Sequence, residues 1–404
     1  MFRKLGLALL CSTAVLLTPC IALAEYNTDK IGDVLKNAHT DLTIVCAHRG
    51  LHGTAIGRNA HNDWLRDVPE NSIASIQQAA SRGIECSEID LQIDSGGNVI
   101  VLHDTNLGRT TNAFTAGGTG GQYDPYTHVG YNPSLSNYFV NPLELYLRHP
   151  SLNGYSNQRL PSFDAILDTI KRDKIAMILL LDVKNIEAAK KAWQSVKTHT
   201  NAWGTPAERW VYFKMPVNKI GATAGAFEAK GIINVQSEGG RFRLIPVFGA
   251  DFIDASGGPA RALQNWQGYY GKDYVYATEV RLKEFDNTLR FPLNNIMSTY
   301  YAMRTQHNVK TIGAYQPVVE TLNFDFFDSD GHCCTDPSKW LWKSQHGYGQ
   351  ETGDSRTNPD VRKSLNWLMN TASGSIHYII SDDPETAIWE LAKAKRRNTV
   401  LISN

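Results

Sequence analysis

Short apolar runs ending in polar or charged residues, spaced so that helical stretches fit between them, constrain this chain more than any other feature. The runs are Leu42–His48, Cys86–Gln92, Val99–His103, Ala176–Lys184, Trp210–Met215, Arg243–Phe248, Tyr274–Val280, Val309–Tyr315 and His377–Ser381. Helical patterning fills several of the gaps, at Ser72–Arg82, from Ser162 to Arg172, Asn185–Thr198 and Phe291–Gln306. Strands that alternate with helices imply a largely parallel sheet. Eight or so such strands close most economically as a TIM-type (β/α)8 barrel, with functional groups at the strands' carboxyl ends. Nine candidates exceed eight, so one strand is expected outside the closed barrel. Residues 112–159, rich in Gly, Tyr, Asn and Pro, read as an irregular insertion, and 51–68 and 323–360 as long loops. The expected fold is an irregular α/β barrel with insertions at its catalytic rim, one domain over residues 25–404.

The stretch from Thr43 to Thr111 concentrates the chemistry. Successive strand side chains alternate faces, so Glu88 and Asp90 project to one side, and His48 ends the preceding strand. From Asp90 the chain passes through Asp94-Ser95-Gly96-Gly97-Asn98, a turn by composition, and returns too soon for a helical crossover. A hairpin centred near Gly96 brings His103 level with Glu88 and Asp90. A carboxylate pair without cysteine favours a hard divalent cation such as Ca²⁺ or Mg²⁺ over zinc. Two imidazoles beside it suit acid and base work near neutrality. Arg49 supplies a planar cation matched to phosphate oxygens. The combination points to hydrolysis of a phosphate ester.

His48-Arg49-Gly50, Pro69-Glu70-Asn71-Ser72, Glu88 and Asp90, Gly96-Gly97, and His103-Asp104-Thr105-Asn106-Leu107-Gly108-Arg109-Thr110-Thr111 follow one another in order. This series resembles the glycerophosphodiester phosphodiesterase family, whose linked motifs are more specific than any one short pattern. Near the end, Ser381-Asp382-Asp383-Pro384 resembles the family's closing signature. The resemblance implies a TIM barrel and metal-dependent hydrolysis of a glycerophosphodiester to glycerol 3-phosphate, through a cyclic phosphate. It implies His103 as acid and His48 as base or stabiliser, Glu88, Asp90 and Asp182 as ligands of a divalent cation, Ca²⁺ before Mg²⁺, Arg49 and Lys184 on phosphate, and Glu70 as an orienting residue. Asp182 stands where the family usually has Glu, one methylene longer. The family's Trp-Thr-Val-Asn strand is replaced by Ile312-Gly313-Ala314-Tyr315-Gln316. The replaced strand and the 18 residues between Gly50 and Pro69 fall on the pocket rim, and these enlarged loops leave open a related activity on sphingomyelin or lysolipid headgroups that stops at the cyclic phosphate. Phosphoester binding without turnover is disfavoured by the retention of both histidines.

Residues 1–24 carry Arg3 and Lys4, an apolar run from Leu5 to Leu17 and Ala22-Leu23-Ala24, which reads as a secretory signal. The expected location is therefore the periplasm or the medium. Beyond this segment no apolar run is long enough to span a bilayer. Without residues 1–24 the chain has 38 basic and 40 acidic side chains, a formal charge of −2, which argues against a nucleic-acid partner. The partner expected is a small glycerophosphodiester or lysolipid headgroup. Cys46 and Cys86, each two residues before a proposed site residue, read as buried thiols rather than a disulfide. The connectivity of Cys333 and Cys334 does not follow from sequence. Asp328-Ser329-Asp330-Gly331 reads as an Asx-rich turn rather than a calcium loop, because Pro337 stands where the closing acid belongs.

Overall fold

Nine predicted strands are present in the computed structural model, which describes residues 26–54, 66–140, 144–269, 271–281, 311–316, 327–333 and 376–404. They are β1 (Ile44–Ala47), β2 (Cys86–Ile93), β3 (Val99–Val101), then, past a short insertion hairpin of β4 (Tyr146–Arg148) and β5 (Tyr155–Arg159), β6 (Ile178–Val183), β7 (Val211–Pro216), β8 (Leu244–Gly249), β9 (Thr278–Arg281), β10 (Ile312–Gln316) and β11 (Tyr378–Ser381). Eight of them form the ring β1-β2-β6-β7-β8-β9-β10-β11, every neighbour parallel, closed where β11 and β2 both pair with β1. The chain folds as a TIM barrel. The surplus strand is β3, which pairs antiparallel with β2 outside the ring. The expected signal segment, the helix Phe291–Gln306 and most of the 51–68 and 323–360 loops lie outside the described residues.

Local chemistry explains the elements that carry the site. The β2–β3 register pairs Leu91 with Val101 and Ile93 with Val99, as a hairpin centred at Gly96 requires. Asp94 closes it, its Oδ1 accepting from the backbone N–H groups of Gly96 (2.9 Å) and Asn98 (2.8 Å), and Gly97 takes φ +80°, a value glycine adopts without steric cost. Ser72 caps the helix Ile73–Ser81, accepting from Ser75 N–H while Ser75 Oγ accepts from Ser72 N–H, a reciprocal box that satisfies two otherwise orphaned donors. The strands are buried on both faces: β6 is fully buried except at Asp182. Outside the ring, Trp193 of the helix Ile186–Thr198 packs edge-on to Phe242 at 5.1 Å.

Two features depart from expectation. Cys46 and Cys86 are a disulfide, not buried thiols. The residues are cross-strand partners of β1 and β2 with Cα atoms 4.3 Å apart, close enough for a bond once both side chains share a face. Cys333 is also disulfide-bonded, to a partner outside the described residues. The insertion read as irregular contains the β4–β5 hairpin, and its Leu135, Val140, Leu145 and Leu147 join Leu102, Leu107 and Leu160 in a second apolar cluster. Its apolar residues are too scattered to show strand periodicity. Asp328 makes the expected Asx turn, accepting from Asp330 N–H (2.9 Å) and His332 N–H (2.8 Å).

Candidate active site

His48, Arg49, His103, Asp182 and Lys184 line one pocket at the carboxyl end of the barrel, together with Lys214, Pro216, Val247, Glu279 and Tyr315. His48 leaves β1 with its N–H donating to Ser381 O at 2.9 Å. The chain then turns through Arg49 (φ +52°) and Gly50 (φ +75°). A Cβ on Gly50 would lie 2.1 Å from Ser75 Oγ, so only glycine allows this turn to sit against the helix. Positive φ at arginine is strained and is found where the surroundings enforce it. Here Arg49 N–H donates to Glu88 (3.1 Å) and Arg49 O accepts from Asn71 N–H (2.9 Å).

Each histidine has its own buried carboxylate. His48 Nδ1 lies 2.6 Å from Asp382 Oδ1, and the Tyr315 hydroxyl donates to Asp382 Oδ2 at 2.8 Å. His52 Nε2 approaches the same Oδ1 at 3.4 Å. Burial opposes ionisation of Asp382, but His48 and His52 outweigh it and hold the carboxyl well below its usual range. His103 Nδ1 lies 2.8 Å from Asp104 Oδ1. Arg109 grips that carboxylate with Nε to Oδ2 (2.6 Å) and Nη2 to Oδ1 (2.8 Å). In both pairs a carboxylate at Nδ1 fixes the ring's orientation and tautomer, directing Nε2 elsewhere.

The acids gather as the alternation argument anticipated. Asp90 is the register partner of Asp182 across β2 and β6. Carboxylate oxygens of Glu88, Asp90 and Asp182 lie within 4.8 Å of one another. Glu88 and Asp90 are fully buried. Lys184 Nζ stands 2.8 Å from Asp90 and 2.7 Å from Asp182. Glu88 Oε1 is buried without a hydrogen-bond partner. Three convergent carboxylates with an unsatisfied buried oxygen fit a hard divalent cation, so these acidic residues could hold a metal.

Glu70 binds two guanidinium groups, Arg49 Nη1 at 3.1 Å and Arg109 Nη2 at 2.8 Å, and His48 is not among its partners. Burial raises its pKa, but Arg109 and Arg49 more than offset this and bring it down to about 2. Arg49 itself is 2% exposed, tied to Glu70 and, at 3.4 Å, to Asp90. Asn71 clamps Asp90: its Nδ2 donates to Oδ2 (2.9 Å) and its Oδ1 accepts from Asp90 N–H (3.1 Å).

Sequence reasoning assigned no role to Asn71, Asp104, Arg109, His52, Lys214, Glu279, Tyr315 or Asp382. Asp104, Arg109 and Asp382 lie inside the quoted motifs, and Lys214 and Glu279 interrupt apolar strands, itself a signal because lysine and glutamate are almost never fully buried unless paired. His52 carried none. Lys214 Nζ sits 3.5 Å from Glu88 and 3.4 Å from Glu279. Burial disfavours its charge, but Glu279 and Glu88 outweigh that and keep the ammonium protonated far beyond neutral pH.

Residues 48–204 match the model of the glycerophosphoryl diester phosphodiesterase family. The chain is related to these phosphodiesterases. Glycerophosphodiester phosphodiesterase 1 from Bos taurus is 28% identical over 139 residues, 34% of this chain and 36% of that protein. A glycerophosphodiester phosphodiesterase from Caldanaerobacter subterraneus is 40% identical over 53 residues, 13% of this chain and 22% of that one. The chain thus spans about a third or less of the length of these two relatives. The fold likeness is broader. A glycerophosphoryl diester phosphodiesterase from Parabacteroides distasonis superposes with a TM-score of 0.50 at 14% identity, covering 94% of both chains. One from Silicibacter pomeroyi gives 0.50 at 11% identity, covering 91% of this chain and 99% of that one. At these identities the two superpositions are a likeness of fold, over nearly the whole chain.

Proposed function

We propose that the chain hydrolyses glycerophosphodiesters to glycerol 3-phosphate and an alcohol. The observation that carries this reading is a pair of histidines, each braced at Nδ1 by its own buried carboxylate, lining one pocket beside three convergent acids. Two braced imidazoles provide an acid and a base in one site, which binding alone does not need. The relatives' names supply the substrate class.

In this mechanism Glu88, Asp90 and Asp182 would hold a hard divalent cation, Ca²⁺ before Mg²⁺ by the family resemblance. Such a cation supplies Lewis-acid neutralisation of charge on the phosphoryl oxygens. His48 Nε2 takes the proton of the glycerol hydroxyl next to the ester, and His103 Nε2 gives a proton to the departing alcohol oxygen. The oxygen–phosphorus bond to the alcohol breaks as the internal oxygen–phosphorus bond forms, giving a cyclic phosphate. Proximity of the neighbouring hydroxyl makes this attack intramolecular. The protonation states are then reversed, so that His103 takes a proton from water and His48 returns one to the hydroxyl as the ring opens. Arg49 and Lys184 place cations beside the phosphoryl group, and Glu70 fixes Arg49. Action outside the reducing cytosol is part of the proposal, supported by the leader-like residues 1–24 and the Cys46–Cys86 disulfide. Among the described residues no helix is long and apolar enough to cross a membrane.

Phosphorus NMR of the purified chain with glycerophosphocholine, lysophosphatidylcholine and sphingomyelin, each with Ca²⁺, Mg²⁺ or EDTA, tests the reading. Cation-dependent release of glycerol 3-phosphate from glycerophosphocholine is the expected result. A cyclic phosphate formed from the lipids alone, or no turnover of any diester, would overturn it.

A further inference from the structure

Lys214 is a charged residue in the run Val211-Tyr212-Phe213-Lys214-Met215. It is 5% exposed, yet it lines the same pocket as His48, His103 and Lys184. Strand register places it beside Asp182, which is itself beside Asp90, so its backbone stands at the level where the acids converge. Its anionic neighbours are distant for direct bonds: Glu279 Oε1 at 3.4 Å and Glu88 Oε1 at 3.5 Å. Among the described residues, the bond to Glu279 is the one hydrogen bond its ammonium donates.

An ammonium has three N–H donors, and charge-assisted N–H···O bonds are ordinarily about 2.7–2.9 Å long. Lys214 is therefore buried with most of its donor capacity unspent, an arrangement that costs free energy unless something else accepts those protons. The other two cations of the pocket are engaged more closely. Lys184 sits at 2.7 and 2.8 Å from Asp182 and Asp90, and Arg49 donates to Glu70 at 3.1 Å. Glu279, 2% exposed on β9, stands beside the ammonium and fixes where it can point.

We infer that Lys214 is a phosphate ligand of this pocket, donating to a nonbridging phosphoryl oxygen and held in position by Glu279. The inference rests on the phosphodiesterase reading and deepens it, naming a cation that lies outside every motif of the sequence. Lysine suits the task because its ammonium is a compact point charge that does not require the planar geometry of a guanidinium contact. A different role, counter-charge to Glu88 in setting cation affinity, has a separate signature: loss of Lys214 would tighten cation binding and leave phosphate binding alone.

The test measures binding without turnover. Wild-type protein, Lys214→Met and Lys214→Arg are titrated with inorganic phosphate and with glycerol 3-phosphate by calorimetry, and separately with Ca²⁺. Hydrogen bonds to charged groups correspond to about a 10- to 100-fold change in Kd, so Lys214→Met is expected to weaken phosphate binding by that factor. Lys214→Arg, which keeps the charge, is expected to lose less. If Lys214→Met does not fold, the double variant Lys214→Met/Glu279→Gln, with one buried charge fewer, is read in its place. Unchanged phosphate Kd in whichever variant folds would overturn the inference. So would unchanged phosphate binding with tightened Ca²⁺ binding, which would assign the counter-charge role. A wild-type protein that turns over no diester would sink the proposed function and leave this binding comparison intact.

Discussion

Replacing Asp382 by Asn tests the site most directly, because it changes the oxygen shared by His48 and His52 and little volume. In the native protein Asp382 Oδ1 lies 2.6 Å from His48 Nδ1 while Oδ2 accepts from the Tyr315 hydroxyl at 2.8 Å. An ionised carboxylate can only accept, so Nδ1 carries a proton and the neutral ring leaves Nε2 able to accept one. The amide of Asn can face Nδ1 through its NH₂ group, which stabilises the tautomer protonated at Nε2, the wrong one for a base. General acid–base catalysis contributes about 10²- to 10⁴-fold, and a carboxylate-to-amide change beside a catalytic histidine reaches about 10⁴ in the serine protease triad. The expected outcome is a fall in kcat of about 10²- to 10⁴-fold with KM little changed. Glycerol 3-phosphate release measures the rate, and circular dichroism checks that the fold survives. A folded variant with kcat within about tenfold of wild type would refute the assignment, since it would mean that this brace contributes less than about 1.4 kcal/mol to the barrier.

Further outcomes follow from the same geometry. Asp182→Asn removes one of three convergent carboxylates and is expected to weaken Ca²⁺ binding by at least about tenfold through the lost ligand charge; an unchanged calorimetric titration would place the third ligand elsewhere. Glu70, lowered from 4.5 to about 2 by Arg109 and Arg49 against its burial, stabilises the fold above its unfolded pKa and loses that contribution as pH falls toward 2. The shift corresponds to at most about 3 kcal/mol. Urea unfolding between pH 5 and 3 is expected to show a steeper stability loss for wild type than for Glu70→Gln, and equal slopes would contradict the ion-pair account. The disulfide closes a 40-residue separation, for which chain entropy predicts about 4 kcal/mol at most; an unfolding midpoint indifferent to reductant would show that it adds no stability.

The local geometry of the site was legible because it depends on short-range rules. Alternation along β2 put Glu88 and Asp90 on one face, and the Gly-rich turn after Asp94 determined the β2–β3 register to the residue. Apolar runs and the helical stretches between them were enough to reach a parallel barrel with one surplus strand, since burial on both faces and the rarity of charges within such runs are properties of composition. The motif order from His48 to Thr111 carried the proposed reaction class for the same reason: its members are close in sequence.

What the sequence could not determine depended on which strands become neighbours. Cys46 and Cys86 are 40 positions apart and meet because β1 and β2 pair in register, a fact no spacing rule supplies. Asp382 reaches His48 across 334 positions because β11 closes the ring against β1, and only that closure brings the brace to the histidine. Glu70 reads as a loop acid until Arg49 and Arg109 converge on it. Lys214 and Glu279 look like faults in apolar strands until the curvature of the barrel turns both side chains inward to face Glu88. Local periodicity decides which way a side chain points, whereas ring closure decides what it points at.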